Sequence, residues 1–219
     1  MTAPNFYSEK ASGYFGRVRK EILDLIPHGT QRLLDVGCGQ GELGAAAKSS
    51  IGVPFVIGIE LFQPAAEIAR TKLDEVVIGD IENLDLRFPP ESFDCIVCAD
   101  ILEHTRDPWH VLTNLGKLLR QDGVIVASLP NLRHLATILK IVFDRFEYQE
   151  EGLLDKTHLR FFTLHTIRTM FRDSGFVIDK VNSVRSRKWK VRLLNALSLG
   201  LLKEFTVFQY VLVARRRSP

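Results

Sequence analysis

Three glycines stand two residues apart directly after an apolar run, and a carboxylate precedes them. Residues 35–41 are Asp-Val-Gly-Cys-Gly-Gln-Gly, and Glu42 follows. Glycines at this spacing let backbone N–H groups approach a ligand without a Cβ atom in the way. Dinucleotide-binding turns have the different spacing Gly-x-Gly-x-x-Gly, and Asp35 would repel their pyrophosphate. The segment therefore favours a ligand that carries positive charge, such as a sulfonium with an ammonium group.

Acidic residues recur where three further apolar runs end. Glu60 closes the second run, Asp80 and Ile81 follow the third, and Asp100 follows the fourth. The carboxyl ends of parallel strands form the ligand crevice of an open α/β sheet. We expect Glu60 and the adjacent Leu61 to contact a ribose. We expect Asp80 to accept a hydrogen bond from an adenine amino group while Ile81 packs against the ring. These positions together predict S-adenosylmethionine as the ligand.

Histidines supply the candidates for proton transfer. His104 comes directly after the fourth run, and His158 lies in a polar cluster that includes Arg160. A hydroxyl acceptor with a high pKa needs a general base, for which His104 and His158 are the leading candidates and His134 a third. For each histidine the competing interpretation is a structural hydrogen bond.

Three residues after position 130 are predicted to contact an acceptor, namely His134, Tyr148 and Arg160. Arginine suits bidentate recognition of a phosphate or carboxylate. The alternative for Arg160 is an ion pair with Asp155 or Glu151 that fixes the loop. Asn131 can cap a helix with one apolar face, made of Leu132, Leu135, Leu139, Val142, Phe143 and Phe146.

The order of elements predicts the architecture. Apolar runs of strand length alternate with helical patterns over the first 130 residues, which argues for an α/β fold with a parallel sheet and right-handed crossovers. We expect a single domain over 1–219. Its parts are an N-terminal lid or helix (1–30), a cofactor-binding half (31–130) and a substrate-side half (131–219) with insertions at 131–160 and 185–203.

Residues 30–130 resemble the class I S-adenosylmethionine-dependent methyltransferases of the ubiquinone- and small-molecule-modifying type. The resemblance implies a Rossmann-like, seven-stranded, mostly parallel sheet with helices on both faces, its last strand antiparallel, and an inserted C-terminal cap. It also implies positions for the cofactor. Asp35, Gly37, Cys38 and Gly39 would surround the methionine moiety, and Asp100 would lie near it.

The second half has a narrower resemblance. Leu129-Pro130-Asn131, Phe146-Glu147-Tyr148 and residues 152–163 (Gly-Leu-Leu-Asp-Lys-Thr-His-Leu-Arg-Phe-Phe-Thr) are similar to methyltransferases encoded among bacterial envelope-polysaccharide genes. This favours O-methylation of a small or carbohydrate-like acceptor, either free or lipid-linked. The alternatives are a quinone or lipid C- or O-methyltransferase and a non-catalytic module that binds the cofactor. An NAD-dependent dehydrogenase is disfavoured by Asp35 and the glycine spacing.

Charge distribution and cysteine spacing limit the remaining functional classes. Residues 185–219 hold nine Lys/Arg and one Glu, whereas the rest of the chain carries a net charge of −5. A local basic segment on an acidic body does not suggest a nucleic-acid binder. Residues 185–203 carry basic residues beside an apolar stripe that includes Trp189, which suggests peripheral membrane contact on a cytoplasmic protein. Cys95 and Cys98 lie three apart in one strand and should point to opposite faces, so no metal site is predicted.

Overall fold

A computed structural model describes residues 18–185 and 202–217, which form one seven-stranded sheet. The strand order is β3-β2-β1-β4-β5-β7-β6, and β7 is antiparallel to both of its neighbours. The remaining pairs are parallel, so the predicted mostly parallel α/β sheet is confirmed. The strands are β1 (Arg32–Val36), β2 (Phe55–Glu60), β3 (Glu75–Ile78), β4 (Phe93–Ala99), β5 (Leu119–Pro130), β6 (Phe176–Arg185) and β7 (Val207–Arg216).

Helices connect the strands, and their ends follow local sequence signals. Asp107 accepts a hydrogen bond from the His110 N–H and is followed by Pro108 at the first helical position. Thr163 and Thr166 bond each other's backbone in a capping box. The helices are α1 (Lys20–Leu23), α2 (Glu42–Ile51), α3 (Gln63–Ala69), α4 (Pro108–Leu118), α5 (Leu135–Val142) and α6 (Leu164–Asp173).

The two faces of the sheet bury separate apolar clusters. One cluster packs α4 and α6 against the sheet and includes Cys98, while the other packs α1, α2 and α3 and includes Cys95. The two thiols are fully buried on opposite faces, as their spacing predicted. Burial raises the pKa of both, so these cysteines act as small apolar core residues.

The helix after position 130 differs from the sequence prediction. It begins at Leu135, with His134 at the N-cap position, because the Asn131 side chain instead donates hydrogen bonds to the carbonyls of Val207 (2.9 Å) and Glu204 (3.3 Å). Asn131 is fully buried and ties β5 to β7. The apolar side chains from Leu139 onward are exposed, and Val142 and Phe143 are each 68% exposed, whereas Leu135 is partly buried.

Sheet register brings the predicted site residues to one edge. Asp35 in β1 is level with Gly58 in β2 and Val97 in β4, so the residues after these strands lie beside one another. This is the carboxyl edge, at which ligands of open α/β sheets bind. Of the helices in the described ranges, none is long and apolar enough to cross a membrane.

Candidate active site

The glycine turn after β1 is held against the end of β2. The N–H groups of Gly37 and Cys38 both donate to the Ile59 carbonyl, at 2.8 and 3.0 Å. Gly37 has φ +73°, and a Cβ there would lie 3.0 Å from the Ile101 side chain. Gly39 has φ +55° and donates its N–H to the Glu60 carboxylate at 2.8 Å. Glycine is thus required by backbone conformation as well as by access to a ligand.

Two buried carboxylates lie beneath this turn. Glu60 is 7% exposed, and its second oxygen accepts the Phe62 N–H at 2.8 Å. Burial raises its pKa, although the hydrogen bonds from Phe62 and Gly39 oppose the rise. Asp35 is 2% exposed, and its Oδ2 has no hydrogen-bond partner among the described residues. Burial and then the neighbouring Glu60 raise the pKa of Asp35 to about 7.

A cavity of about 950 Å³ opens at this edge of the sheet. Ten of the residues predicted to bind cofactor or to act as base line it: Asp35, Gly37, Cys38, Gly39, Glu60, Leu61, Asp80, Ile81, Asp100 and His104. Its lining contains seven Asp/Glu and two Lys/Arg residues. This excess of carboxylates favours a cationic ligand and disfavours a pyrophosphate.

Asp100 is the centre of a polar cluster on one side of the cavity. It has φ +55°, unusual for a residue other than glycine. Its carboxylate accepts hydrogen bonds from Ser128 Oγ (2.7 Å), from the Gln209 side chain and from Arg19, with which it forms a salt bridge. Arg19 also donates to Gln209 Oε1 at 2.5 Å. Sequence analysis missed Arg19 and Gln209, which lie 81 and 109 positions from Asp100.

Asp80 and Ile81 line the cavity after β3. The Asp80 carboxylate accepts hydrogen bonds from the Glu82 N–H at 3.0 Å and from the Asn83 side chain at 2.8 Å. The side chain is only partly buried, in contrast with Asp35. Leu61, 51% exposed, lies on the same cavity wall.

The two candidate bases, His104 and His158, are brought together. Their rings meet edge to face with centroids 4.7 Å apart. His104 lies on a 3-10 helix, Leu102–His104, that follows β4, and His158 comes from the insertion at 131–160. Burial, followed by the nearby His158, lowers the pKa of His104 to about 4, so its imidazole is neutral near pH 7. His158 is 9% exposed, and its Nδ1 lies 3.3 Å from the Leu153 carbonyl.

Glu103 completes this histidine cluster. It is 1% exposed, its Oε2 has no hydrogen-bond partner within the described ranges, and burial raises its pKa well above the usual range. The donor atoms of Glu103, His104 and His158 lie within 4.8 Å of one another, close enough to admit a metal ion. Sequence analysis did not predict this grouping. Both rings direct Nδ1 to a main-chain carbonyl, which leaves Nε2 of each ring available as a ligand or as a base.

The acceptor candidates lie outside the residues that line the cavity. The Arg160 guanidinium donates twice to the Arg106 carbonyl, at 3.0 and 2.5 Å, and stacks over the Trp109 ring, so it pairs neither with Asp155 nor with Glu151 in the contacts resolved. His134 packs edge to face on Phe208, which does line the cavity. Tyr148 is 61% exposed. From the insertion, Glu151 and Gly152 reach the cavity instead.

Comparison with known sequences identifies the family of the chain. Residues 7–181 match a family described as a methyltransferase domain. Over 107 residues, the chain is 35% identical to a ubiquinone biosynthesis O-methyltransferase of Neisseria meningitidis, which covers 46% of this chain and 44% of that protein. It is 34% identical over 121 residues to an uncharacterized methyltransferase of Mycobacterium bovis, covering 52% and 59%. The chain thus spans about half the length of the curated relatives it matches.

Solved structures share the fold. A SAM-dependent methyltransferase from Archaeoglobus fulgidus superposes with a TM-score of 0.67 at 20% identity, over 94% of this chain and 95% of the other. One from Mesorhizobium loti gives 0.66 at 19% identity, over 95% and 99%. The likeness concerns the fold, and it extends over nearly the whole chain. Since the family match covers most of the chain, the predicted class is confirmed: the protein belongs to the methyltransferase domain family, whose cofactor is S-adenosylmethionine.

Proposed function

We propose that the protein is an O-methyltransferase that transfers a methyl group to a hydroxyl of a small, lipid-linked acceptor. The observation that carries the proposal is the unpartnered Oδ2 of Asp35, buried in the wall of an acidic cavity at the glycine turn. A buried carboxylate oxygen without a partner costs free energy that a cationic ligand would recover. The sulfonium and ammonium groups of S-adenosylmethionine supply that charge.

The methionine end of the cofactor is zwitterionic, and the cavity offers both signs of charge. Asp35 and Asp100 suit the α-ammonium group, while the guanidinium of Arg19 suits the α-carboxylate. Arg19 and Asp100 are paired in this structure, so each would exchange part of that contact for the cofactor. This assigns Arg19 a binding role that its sequence context does not reveal.

The nucleoside end fits the opposite wall. Each Glu60 oxygen already accepts one backbone N–H and keeps a second lone pair for a ribose hydroxyl. Gly37, Cys38 and Leu61 line the same part of the cavity. Asp80, with its partly accessible carboxylate, would accept from the adenine amino group while Ile81 covers the ring.

The chemistry requires alignment and removal of one proton. When bound, the cofactor supplies an electrophilic methyl group on a positively charged sulfur. His104 would take the proton of the acceptor hydroxyl as its oxygen receives the methyl group, and the electron pair of the broken carbon–sulfur bond would stay with the cofactor. His104 is suited to this role because it lines the cavity and is neutral near pH 7.

The acceptor side combines polar and apolar surfaces. His158 packs on His104, and His134 packs on the cavity residue Phe208, which places α5 beside the cavity. The exposed apolar side chains that begin in α5 suit an acceptor with a lipid portion; they are Leu139, Ile141, Val142, Phe143, Phe146 and Tyr148. Similarity to ubiquinone biosynthesis O-methyltransferases favours a phenolic hydroxyl of a quinone-like lipid as the second candidate acceptor.

Contact with a membrane surface would give these apolar residues a role. Leu139 and Phe143 line a shallow groove together with Lys140 and Arg145, a combination that suits an anionic lipid surface. The segment 185–203, for which the sequence predicts peripheral membrane contact, lies mostly outside the described residues. We propose that residues 139–145 and 185–203 both contact the membrane surface.

The function is tested in two stages. Calorimetric titration with S-adenosylmethionine, S-adenosylhomocysteine and NAD should give binding of the first two and none of the third. Transfer of a labelled methyl group is then measured to a catechol and to a hexose, each with and without an alkyl tail. Tail-dependent methylation of either hydroxyl supports the proposal. Cofactor binding with no transfer to any of the four would instead indicate a module that binds cofactor without catalysis.

A further inference from the structure

A chain of hydrogen bonds connects the cavity histidine His104 to a buried carboxylate in the insertion. Nδ1 of His104 lies 3.1 Å from the carbonyl oxygen and 3.1 Å from Oγ1 of Thr157. The Thr157 hydroxyl in turn donates to Oδ1 of Asp155 at 2.7 Å, and the same oxygen accepts the Thr157 N–H at 2.9 Å. Asp155 and Thr157 are 1% and 8% exposed, so water does not compete for these bonds.

The direction of these bonds fixes the position of one proton. A carbonyl oxygen can only accept, and the Thr157 hydroxyl has already directed its proton to Asp155. Both neighbours of His104 Nδ1 are therefore acceptors, and Nδ1 must carry the ring proton. The neutral ring consequently keeps its lone pair on Nε2, the nitrogen that a general base needs free.

The insertion is anchored so that this geometry holds. The N–H groups of Leu159 and Arg160 both donate to the Glu103 carbonyl, at 2.8 and 3.0 Å. Glu103 directly precedes His104 on the 3-10 helix. The segment that carries Asp155 and Thr157 is thus tied to the same turn as the histidine it orients. Hydrogen bonds from surrounding residues of this kind fix the orientation of a histidine ring in a site.

We propose that Asp155 and Thr157 are positioning residues that hold His104 in its Nδ1–H form and present Nε2 as the base for the acceptor hydroxyl. This rests on the proposed function for the identity of the base. The proton taken from the acceptor resides on Nε2 during transfer and leaves to solvent afterwards. Asp155 then stabilises the imidazolium through the Thr157 hydroxyl.

The groups that face His104 are consistent with this arrangement. Glu103 and Asp100 lie on its own side, from β4 and the turn after it, and Asp155 and His158 face it from the insertion. Asp155 and Asp100 favour the protonated His104 ring, whereas burial and the neighbouring His158 disfavour it. The pKa of His104 is lowered, so burial and His158 outweigh the two carboxylates. The resting ring is therefore neutral, as a base must be.

The first measurement needs no acceptor. Long-range nitrogen–proton NMR correlation of the histidine rings, with His104 assigned by comparison with His104→Gln, reports which ring nitrogen carries the proton. Recorded near pH 7 in the presence of a metal chelator, the spectrum should show Nδ1–H at His104. An Nε2–H ring in the wild-type protein would overturn the proposal.

The second measurement uses matched variants. Thr157→Val keeps the shape of the side chain and loses the hydroxyl, while Thr157→Ser keeps the hydroxyl. With a catechol as acceptor, Thr157→Val should lower kcat about tenfold, a fraction of the roughly 10²- to 10⁴-fold effect of a general base. KM and calorimetric affinity for S-adenosylhomocysteine should stay unchanged, and Thr157→Ser should match wild type.

Three results would contradict the proposed positioning role of Asp155 and Thr157. Equal kcat in the valine and serine variants would show that the hydroxyl does not act through His104. A loss confined to KM or cofactor affinity would indicate a merely structural role. Transfer abolished by chelator and restored by a divalent cation would assign His104 to a metal instead of a proton. If wild type does not methylate the catechol, the phenolic acceptor is wrong, the kinetic comparison is made with the hexose, and the NMR result still tests the position of the ring proton.

Discussion

Replacing Asp35 by asparagine separates the stability cost of a buried charge from its use in binding. The pKa of Asp35 is raised from 3.8 to about 7, first by burial and second by Glu60. The folded protein binds the proton of the Asp35 carboxyl more tightly than the unfolded chain does. The protonated carboxyl therefore stabilises the fold at low pH. This stabilisation is lost progressively as pH rises from about 4 to about 7. Ionised Asp35 therefore destabilises the ligand-free protein.

The size of the effect follows from the two pKa values. Each pH unit between them is worth ~1.4 kcal/mol, so the full cost is roughly 4 kcal/mol at alkaline pH. Between about pH 5.5 and about pH 8, the free energy of unfolding of wild type should fall by roughly 2 kcal/mol more than that of Asp35→Asn. Buried carboxyls that do not interact with Asp35, such as Glu103, contribute equally to both proteins and cancel in this comparison.

Urea unfolding at the two pH values measures this difference. Any constant cost of burying the asparagine amide does not affect the change with pH. Asp122→Asn, at an exposed position, is the control and should follow wild type. Saturating S-adenosylmethionine should reduce the pH dependence of wild type, because its positive charge lowers the pKa of Asp35. Parallel pH profiles for wild type and Asp35→Asn would refute the view that this carboxylate is buried at a free-energy cost.

Three further predictions concern binding. Gly39→Val should abolish calorimetric binding of S-adenosylhomocysteine while circular dichroism stays unchanged, since Gly39 has φ +55°; retained affinity would disprove the assigned turn. Glu60→Gln should weaken that binding by about 1–3 kcal/mol, and Asp80→Asn by less because its expected partner is a neutral amino group; equal losses would contradict the ribose assignment. Phe143→Ser should reduce sedimentation with anionic vesicles at low salt, while Val177→Ser, another exposed apolar position, should not; wild-type sedimentation that ignores salt and lipid charge would refute membrane contact.

The structure qualifies how the Glu60 substitution must be designed. Its carboxylate accepts the N–H groups of Gly39 and Phe62, so truncation to alanine would leave two backbone donors unpaired and disturb the glycine turn itself. Glutamine retains one acceptor oxygen and removes the charge. The predicted loss then reports on the ribose contact more directly than alanine would.

The cofactor half could be predicted from sequence because local pattern and sheet topology determine it. The positions of Asp35, Glu60, Asp80 and Asp100 follow from one rule, that parallel strands place their carboxyl ends at one edge. Once the strands were recognised, the four side chains had to converge. The opposite orientations of Cys95 and Cys98 follow from strand geometry in the same way.

Contacts between distant parts of the chain could not be predicted. Arg19 and Gln209 reach Asp100 from the first helix and the last strand, and no local pattern marks either residue. The approach of Thr157 to His104 depends on the path of an irregular insertion. For α5, helical periodicity indicated an apolar face. Its second half, which includes Val142 and Phe143, is exposed, since periodicity does not specify a packing partner.

The division of the site has a mechanistic consequence. The proposed cofactor contacts at Asp35, Glu60 and Asp100 lie in or directly after β1, β2 and β4, whose register is fixed by the sheet. His104 and the residues that support it come instead from a turn and an insertion. Glu60 and Thr157 share no hydrogen-bond partner in the described structure. Substitutions at the two positions should therefore have additive effects on the free-energy barrier to methyl transfer. The acceptor half can therefore change with the insertion while the cofactor half is retained.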